Sequence, residues 1–294
     1  MVNLVNNGIP EDPNVQFRVG LYYYTGSVVR ESLRNAFRCL SKAANHDHPM
    51  AHCMLGKMYA YGYGIRQSAE MALLHFERAA ELGLPQAKYE LGYLYQTGLG
   101  VEQSYERAAE YWSEAADDGY AKAQYALGVL YQGGLGVTFD RKRAFELFLD
   151  AAHKGILPAK INVGLMYEDG TGTEISYPDA MRWLREAADE GDPYALFEIG
   201  WMTYFGLGCR QSEEEAERLV GIALERGVLN IINRRVMRSD PQARLRLGWL
   251  YDLGWGVEKS PFKAITCYTT AKMMGLKTAE KLIDRIYSSL GESQ

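Results

Sequence analysis

Small and apolar residues recur along this chain with a period of 36 residues, and within each period they follow a helical spacing. Around Gly92, for example, alanine stands five residues before the glycine, leucine one before it and tyrosine three after it. These offsets place the side chains on one face of a helix. The glycine recurs seven times, at Gly20, Gly56, Gly92, Gly128, Gly164, Gly200 and, after 48 residues, Gly248, and the alanine and the tyrosine each accompany six of these glycines. The sequence therefore predicts a repeat protein.

Each copy also predicts a second helix. Serine or aspartate, both good N-cap residues, stands in phase in every copy, at Ser32, Ser68, Ser104, Asp140, Ser176, Ser212 and Ser260. An Ala-Ala pair followed by glycine, as in AAELG ending at Gly83, indicates where this helix ends. At the start of the chain, Asp12 and Pro13 fit a cap and a first helical residue. We therefore predict an all-α chain of helix-turn-helix units.

A Gly-x-Gly lies between the two helices of most copies, as in GLG at 98–100. Such glycines cradle phosphate in some nucleotide-binding proteins, but there they follow a strand. Here no strand precedes them and no P-loop lysine follows. Because glycine tolerates a positive φ, these residues are predicted to end the first helix and reverse the chain.

The motif A-x-x-x-L-G-x-x-Y-x-x-G-x-G-V, followed by S-x-x-x-A and A-A-x-x-G, resembles the Sel-one-like repeat family, a branch of the tetratricopeptide-like helical solenoids. The resemblance covers about residues 15–290. It implies a right-handed α/α solenoid of seven helix-turn-helix repeats that binds other proteins and has no chemistry of its own. Three departures are local, namely Val28 for a loop glycine, Thr203 for the tyrosine, and Ala223-Leu224 for the alanine pair.

The predicted domain is a single solenoid over residues 1–294. Its repeats are predicted at 12–47, 48–83, 84–119, 120–155, 156–191, 192–239 with an insertion near 228–239, and 240–275, followed by a capping helix at 276–290. A polar residue, Asp284, replaces glycine in the last helix, as expected where no further repeat covers it.

A second stripe on the first helices, at −3, +1 and +4 from the glycine, is rich in tyrosine and tryptophan. By the resemblance this stripe lines the concave surface, and large rings with a polar handle are frequent binding hot spots. We predict a groove for a peptide or protein segment, lined by Tyr89, Tyr93, Tyr125, Phe197, Trp201, Tyr204 and Trp249. Two alternatives stay open: these rings pack against their own second helices, or the chain self-associates.

The insertion carries a group of basic residues, Arg234, Arg235 and Arg238, close to Arg226, Arg244 and Arg246. They could meet an acidic peptide, a phosphate group or RNA. The alternative is a lengthened linker with solvated arginines, or a short amphipathic helix that packs Val228, Ile231, Ile232 and Val236.

Bulk properties limit the classes of partner and the cellular compartment to be expected. The formal charge of −5 gives no reason to expect nucleic acid as a partner, and no apolar stretch is long enough to span a membrane. The N-terminus shows no secretory leader, and four scattered cysteines suit reduced thiols, so we expect a cytoplasmic protein.

Four histidines in or beside the second copy, at His46, His48, His52 and His75, adjoin Cys53. His48 and His52 have a spacing that metals use, but we expect surface or capping histidines and no metal or cofactor. A solenoid-based hydrolase would need a nucleophile and base that the sequence does not display, so we predict no enzymatic activity.

Overall fold

The computed structural model describes residues 11–291, with the backbone alone for Leu290 and Gly291. Over that range the chain forms sixteen helices and no strand, which confirms the predicted all-α repeat fold. The first ten residues, which carry the expectation about a secretory leader, lie outside the described range. Among the described residues, no helix combines the length and the apolar character needed to cross a bilayer.

Fourteen of the helices form the seven predicted pairs. The first helices are Pro13–Thr25 (α1), Pro49–Tyr61 (α3), Pro85–Thr97 (α5), Ala121–Gly133 (α7), Leu157–Asp169 (α9), Pro193–Phe205 (α11) and Pro241–Leu253 (α14). The second helices are Leu33–Ala44 (α2), Ala69–Glu81 (α4), Tyr105–Asp117 (α6), Arg141–His153 (α8), Tyr177–Asp189 (α10), Glu213–Glu225 (α12) and Pro261–Met273 (α15). The remaining two are Val228–Met237 (α13) and Thr278–Gly291 (α16).

The predicted caps start the second helices. In six of the seven, the serine or aspartate side chain accepts a hydrogen bond from the amide three residues later, at 3.0–3.3 Å. Ser176 differs, since its hydroxyl donates to Asp179 Oδ2 at 2.6 Å. At the first helix, Asp12 Oδ1 accepts from the amide of Asn14 at 2.8 Å, with Pro13 as the first helical residue.

The Gly-x-Gly segments act as hinges, as predicted. Gly98 has φ 71° and its amide donates to the carbonyl of Leu94, which ends α5. Gly100 has φ 78°, and a Cβ on it would lie 2.2 Å from the Cβ of Ala69 on α4. Glycine is therefore needed here for both its backbone conformation and its size.

The glycine inside each first helix marks a close contact with the second helix of the same pair. A Cβ on Gly92 would lie 2.4 Å from Nε1 of Trp112, and one on Gly56 would lie 2.6 Å from the ring of Phe76. Ala87, which stands five residues before Gly92, is fully buried. The small residues predicted from the sequence thus let the two helices pack closely.

The chain divides into two compact units, with the boundary between Ala159 and Lys160 inside α9. In the first unit, each of α1 to α7 packs against the next helix along the chain, and most pairs enclose one large buried ring, such as Phe76, Trp112 or Phe148. In the second unit, α10 to α16 pack in the same sequential way. The predicted terminal helix is present as α16, with Ala279 buried in phase.

The insertion forms the additional helix α13, which packs against α11, α12 and α14. Val228 and Ile232 are fully buried, whereas Met237 at its end is exposed. The segment is thus a short amphipathic helix, the form that the sequence offered for a lengthened linker.

Candidate functional site

The seven aromatic residues predicted to line a groove fall into two groups. Four keep part of their ring at the surface, namely Tyr89, Tyr93, Tyr125 and Tyr204. Three are buried in the second unit with at most 5% of their surface exposed, namely Phe197, Trp201 and Trp249. A buried ring gives no contact area to a partner while the core stays folded. These three are core residues of the second unit, where their rings pack against one another between α11 and α14.

Trp249 lies at the centre of an aromatic cluster in the second unit. Its ring centroid is 5.1 Å from that of Trp201 and 5.2 Å from that of Trp255, both in edge-to-face geometry, and Phe197 lies 5.8 Å away. Aromatic pairs in this arrangement add to the stability that burial alone provides. The aromatic residues that α11 and α14 contribute here hold the second unit together.

A buried group of charges borders this cluster. Arg246 is 1% exposed, and its guanidinium donates to Glu198 Oε2 at 2.8 Å and to Glu168 Oε1 at 2.7 Å. It also lies 3.7 Å from the centroid of the Trp201 ring, whose Nε1 donates to Glu168 Oε1 at 3.1 Å. The sequence-based grouping of Arg246 with the basic insertion is therefore wrong, because the residue faces inward to carboxylates of α9 and α11.

Burial opposes the charge of both Glu168 and Arg246, but it prevails only at Glu168. Burial raises the pKa of Glu168 to about 7, although the charge of Arg246 opposes the shift. The pKa of Arg246 stays above its ordinary value because Glu168 and Glu198 outweigh the cost of its burial. Removal of the arginine would leave two carboxylates in a dry environment.

The predicted basic residues of the insertion are not equivalent. Arg234 and Arg238 are exposed, whereas Arg235 is half-buried. Arg235 Nε donates to Asp240 Oδ2 at 2.6 Å, and its guanidinium lies 4.3 Å from the ring centroid of Tyr194. Two of the three arginines thus lie on the surface, while the third connects α13 to its neighbours.

In the first unit, tyrosines surround an ion pair on the first helices. Lys57 Nζ lies 2.8 Å from Glu90 Oε1, with only 25% and 10% of the two side chains exposed. The rings that interact with this pair or with one another form what we call the tyrosine cluster: Tyr24, Tyr61, Tyr63, Tyr89, Tyr93 and Tyr120. Two of these, Tyr89 and Tyr93, are predicted groove residues.

Tyr61 and Tyr63 are the most exposed residues of the tyrosine cluster, with 45% and 42% of their surface accessible to solvent. Their centroids lie 5.5 Å apart, and Tyr63 lies 6.3 Å from Tyr24. Sequence reasoning missed both, because it considered the −3, +1 and +4 positions alone. A signal was present, since four other Gly-x-Gly segments carry leucine or threonine where Tyr63 stands.

The protonation states of the tyrosine cluster suit polar recognition. Burial disfavours the charge of Lys57, but the hydrogen bond and charge of Glu90 outweigh it, so the pKa of Lys57 is raised. Burial, with a contribution from Glu90, raises the pKa of Tyr61 and of Tyr89. At neutral pH these phenols therefore keep their protons and can donate hydrogen bonds.

The histidines of the second copy have structural partners. His48 is the N-cap of α3, where its Nδ1 accepts from the amide of Ala51 at 3.2 Å. His52 and His75 face each other with their Nδ1 atoms 3.0 Å apart. Burial raises the pKa of the Cys53 thiol to about 12, so it is not a thiolate at neutral pH. In residues 11–291 no group of three or more metal-ligating side chains converges.

Comparisons with known proteins place this architecture. A protective antigen present in uropathogenic Escherichia coli strains, which displays an SLR fold, is 28% identical and superposes with a TM-score of 0.69, covering 98% of this chain and 67% of its own. A Sel1 repeat protein from Oxalobacter formigenes is 32% identical with a TM-score of 0.67, covering 74% of this chain and 89% of its own. No curated protein matches the sequence significantly.

The family model gives the assignment. The Sel1 repeat model matches seven segments, at residues 13–48, 49–84, 85–120, 121–156, 157–192, 193–228 and 241–276. Proteins built from these repeats generally mediate protein–protein interactions and are typically scaffolds without catalysis. Because the matched segments cover most of its length, this chain belongs to the Sel1 repeat family.

Proposed function

We propose that this protein is an adaptor that binds an extended segment of a partner protein through the tyrosine cluster of its first unit. The observation that carries the proposal is the pair of accessible rings at Tyr61 and Tyr63, 45% and 42% exposed, beside a partly buried ion pair. Rings that stay partly exposed after folding still have apolar surface to bury on binding, which supports a recognition role.

The chemistry of the tyrosine cluster suits a protein segment. Each tyrosine offers a large rigid ring at low conformational cost together with a hydroxyl that hydrogen-bonds a peptide group. The Lys57–Glu90 pair lies among the rings and presents charges of both signs. A mixed surface of this kind favours a segment with aromatic or aliphatic anchors and polar groups between them.

Tyr125, on α7, extends the same set of first helices by one copy and is half-buried. We include it with Tyr89 and Tyr93 as a contact at the edge of the site. Phe197, Trp201 and Trp249 have no part in this proposal, because they are core residues of the second unit.

Selection of binding peptides from a random displayed library tests the proposal. Peptides are selected on the wild-type protein, and their dissociation constants are measured by fluorescence polarisation. Alanine at a tyrosine hot spot costs about 1–2 kcal/mol or more. We therefore expect Tyr61→Ala and Tyr63→Ala each to weaken binding by about tenfold, since 1.4 kcal/mol corresponds to that factor.

Tyr287 provides the matched control, since it is a tyrosine with 57% exposure on α16. Tyr287→Ala should bind the selected peptides as tightly as the wild type. Equal affinities for the wild type and the Tyr61→Ala, Tyr63→Ala double variant would refute the assignment of this surface.

A further inference from the structure

The second helix of the first copy, α2, carries a row of basic side chains without acidic neighbours on the same helix. Three of them follow one another at intervals of about one helical turn and are exposed, namely Arg34, Arg38 and Lys42. The helix contains no aspartate or glutamate. Within residues 11–291 none of the three forms an ion pair. We call them the basic row, and their charge is available to an acidic surface.

Glutamates stand at the same three repeat positions two copies later, on α6. They form the acidic row, which is exposed as well and consists of Glu106, Glu110 and Glu114. Of these, within the described residues, only Glu114 has a basic partner, Lys88 at 3.4 Å, which it shares with a second carboxylate. The arginine of the same helix, Arg107, lies over the ring of Tyr95 instead. The two rows therefore carry opposite charges at matching positions along their helices.

The second helices of the first three copies lie side by side. A Cβ on Gly64, just before α4, would lie 2.4 Å from the Cβ of Leu33 at the start of α2. Gly100, just before α6, approaches Ala69 at the start of α4 in the same way. These contacts place α4 between α2 and α6, and the repeat brings equivalent positions of the three helices to the same side.

An exposed leucine marks the middle of this face. Leu74 of α4 holds the repeat position that Arg38 has on α2 and Glu110 has on α6, and it is 57% exposed. One line across the three helices is thus basic, then apolar, then acidic. Such a line is complementary to itself after a rotation of 180° about an axis parallel to α4, which is the symmetry of a two-fold dimer.

We propose that this face is a homodimer interface, in which two copies related by a two-fold axis parallel to α4 meet at Leu74. The rotation places α2 of each copy against α6 of the other. The basic row then faces the acidic row of the partner in register, and this happens twice in the dimer. The interface lies on second helices, apart from the tyrosine cluster, and does not depend on the function proposed for that cluster.

A dimer of this kind is weak and sensitive to salt. Exposed ion pairs each contribute little, and one face of three short helices gives an interface at the small end of specific complexes. Glu70, one turn from Leu74, approaches its counterpart across the axis and opposes association, whereas Arg78 is held by Asp47 and Glu81. We expect a dissociation constant on the order of 10–100 μM at low salt. In about 0.5 M salt, where charges are screened within about 4 Å, it should rise at least tenfold.

Sedimentation equilibrium tests the proposal. Two double variants reverse one row each, Arg34→Glu with Arg38→Glu and Glu106→Arg with Glu110→Arg. Each alone should stay monomeric where the wild type dimerises, because like charges then face each other. An equimolar mixture of the two should dimerise again, since every reversed row meets its complement. Dimers in the mixture also show that both variants are folded.

Arg234→Glu with Arg238→Glu is the matched control, since it changes the net charge by the same amount at exposed residues of α13 in the second unit. It should dimerise like the wild type. Leu74→Asp places two like charges at the axis and should abolish the dimer, whereas Glu70→Gln removes a repulsion and should strengthen it.

A wild type that stays monomeric at millimolar concentration and low salt would overturn the proposal. So would dimers that persist in either reversed variant, since another surface would then join the copies. A mixture that stays monomeric, although both variants have the circular dichroism spectrum of the wild type, would overturn it as well. Peptide binding by the tyrosine cluster should be the same in all these variants, so the failure of one proposal is distinguishable from the failure of the other.

Discussion

Substitution of the in-helix glycine tests the packing on which the repeat depends, and Gly92→Ala is the most informative case. A Cβ at this position would lie 2.4 Å from Nε1, 2.5 Å from Cδ1 and 2.9 Å from Cε2 of Trp112. Trp112 cannot easily move aside, because it is 2% exposed and its Nε1 donates to the carbonyl of Tyr89 at 3.0 Å.

The expected free-energy change is the balance of three effects. Overpacking a closely packed core costs about 1–3 kcal/mol. Displacing the Trp112 indole from its hydrogen bond costs about 1 kcal/mol more. Replacing glycine by alanine inside a helix gains about 1 kcal/mol. Gly92→Ala should therefore destabilise the protein by about 1–3 kcal/mol.

Gly221→Ala is the matched control, since Gly221 lies in α12 and a Cβ there would have no atom within 4 Å. It should stabilise the protein by up to about 1 kcal/mol through helix propensity alone. Urea unfolding followed by far-ultraviolet circular dichroism measures both variants. If Gly92→Ala proves as stable as Gly221→Ala, the close helix contact is not what requires glycine at this position.

Three further changes have defined outcomes. Arg246→Leu should lower the unfolding free energy by about 3–5 kcal/mol, because it leaves buried carboxylates unpaired, and a urea midpoint equal to that of the wild type would contradict this. Burial and the neighbouring His52 lower the pKa of His75 to about 4, below its value near 6.5 in the unfolded chain, so stability should fall as the pH decreases from 6.5 towards 4. After allowance for partial exposure the contribution of His75 is about 1–2 kcal/mol. His75→Phe should remove that part of the pH dependence and leave the part due to His48 and His52, whose pKa values burial also lowers; the same pH profile in the variant would disprove the assignment. Ser212→Ala should cost about 1 kcal/mol by thermal unfolding and Ser176→Ala less, since the Ser176 hydroxyl bonds Asp179 and caps no amide; equal costs would count against the capping argument.

The local parts of the fold could be predicted from the sequence because each depends on neighbouring residues. Serine at a cap, glycine at a positive φ and small residues at −5 and 0 act within one repeat. They recur in phase, so six or seven copies support each inference. Gly100 illustrates this, since its hinge role followed from its place between two helices, and the structure adds only the close approach to Ala69.

The accessible surface was harder to predict, because exposure depends on what each repeat position meets in three dimensions. The +1 position holds Tyr93 in one copy and Trp201 in another, yet the first is half-buried and the second is covered by the Arg246 group. Nothing in the sequence around Arg246 indicated that its side chain turns inward to Glu168 and Glu198. Tyr61 and Tyr63 lie at the helix end and in the hinge, where the periodic pattern does not assign a face.

The central claim is that the first helices of the first unit form a protein-binding surface around Lys57 and Glu90. Hydrogen–deuterium exchange, measured with and without a peptide selected on the wild-type protein, tests it most directly. Binding should slow exchange in the hinge at residues 61–66 and in the adjoining ends of α3 and α5. Slowed exchange confined to α4, α6 and α8, with none in that hinge, would contradict the account.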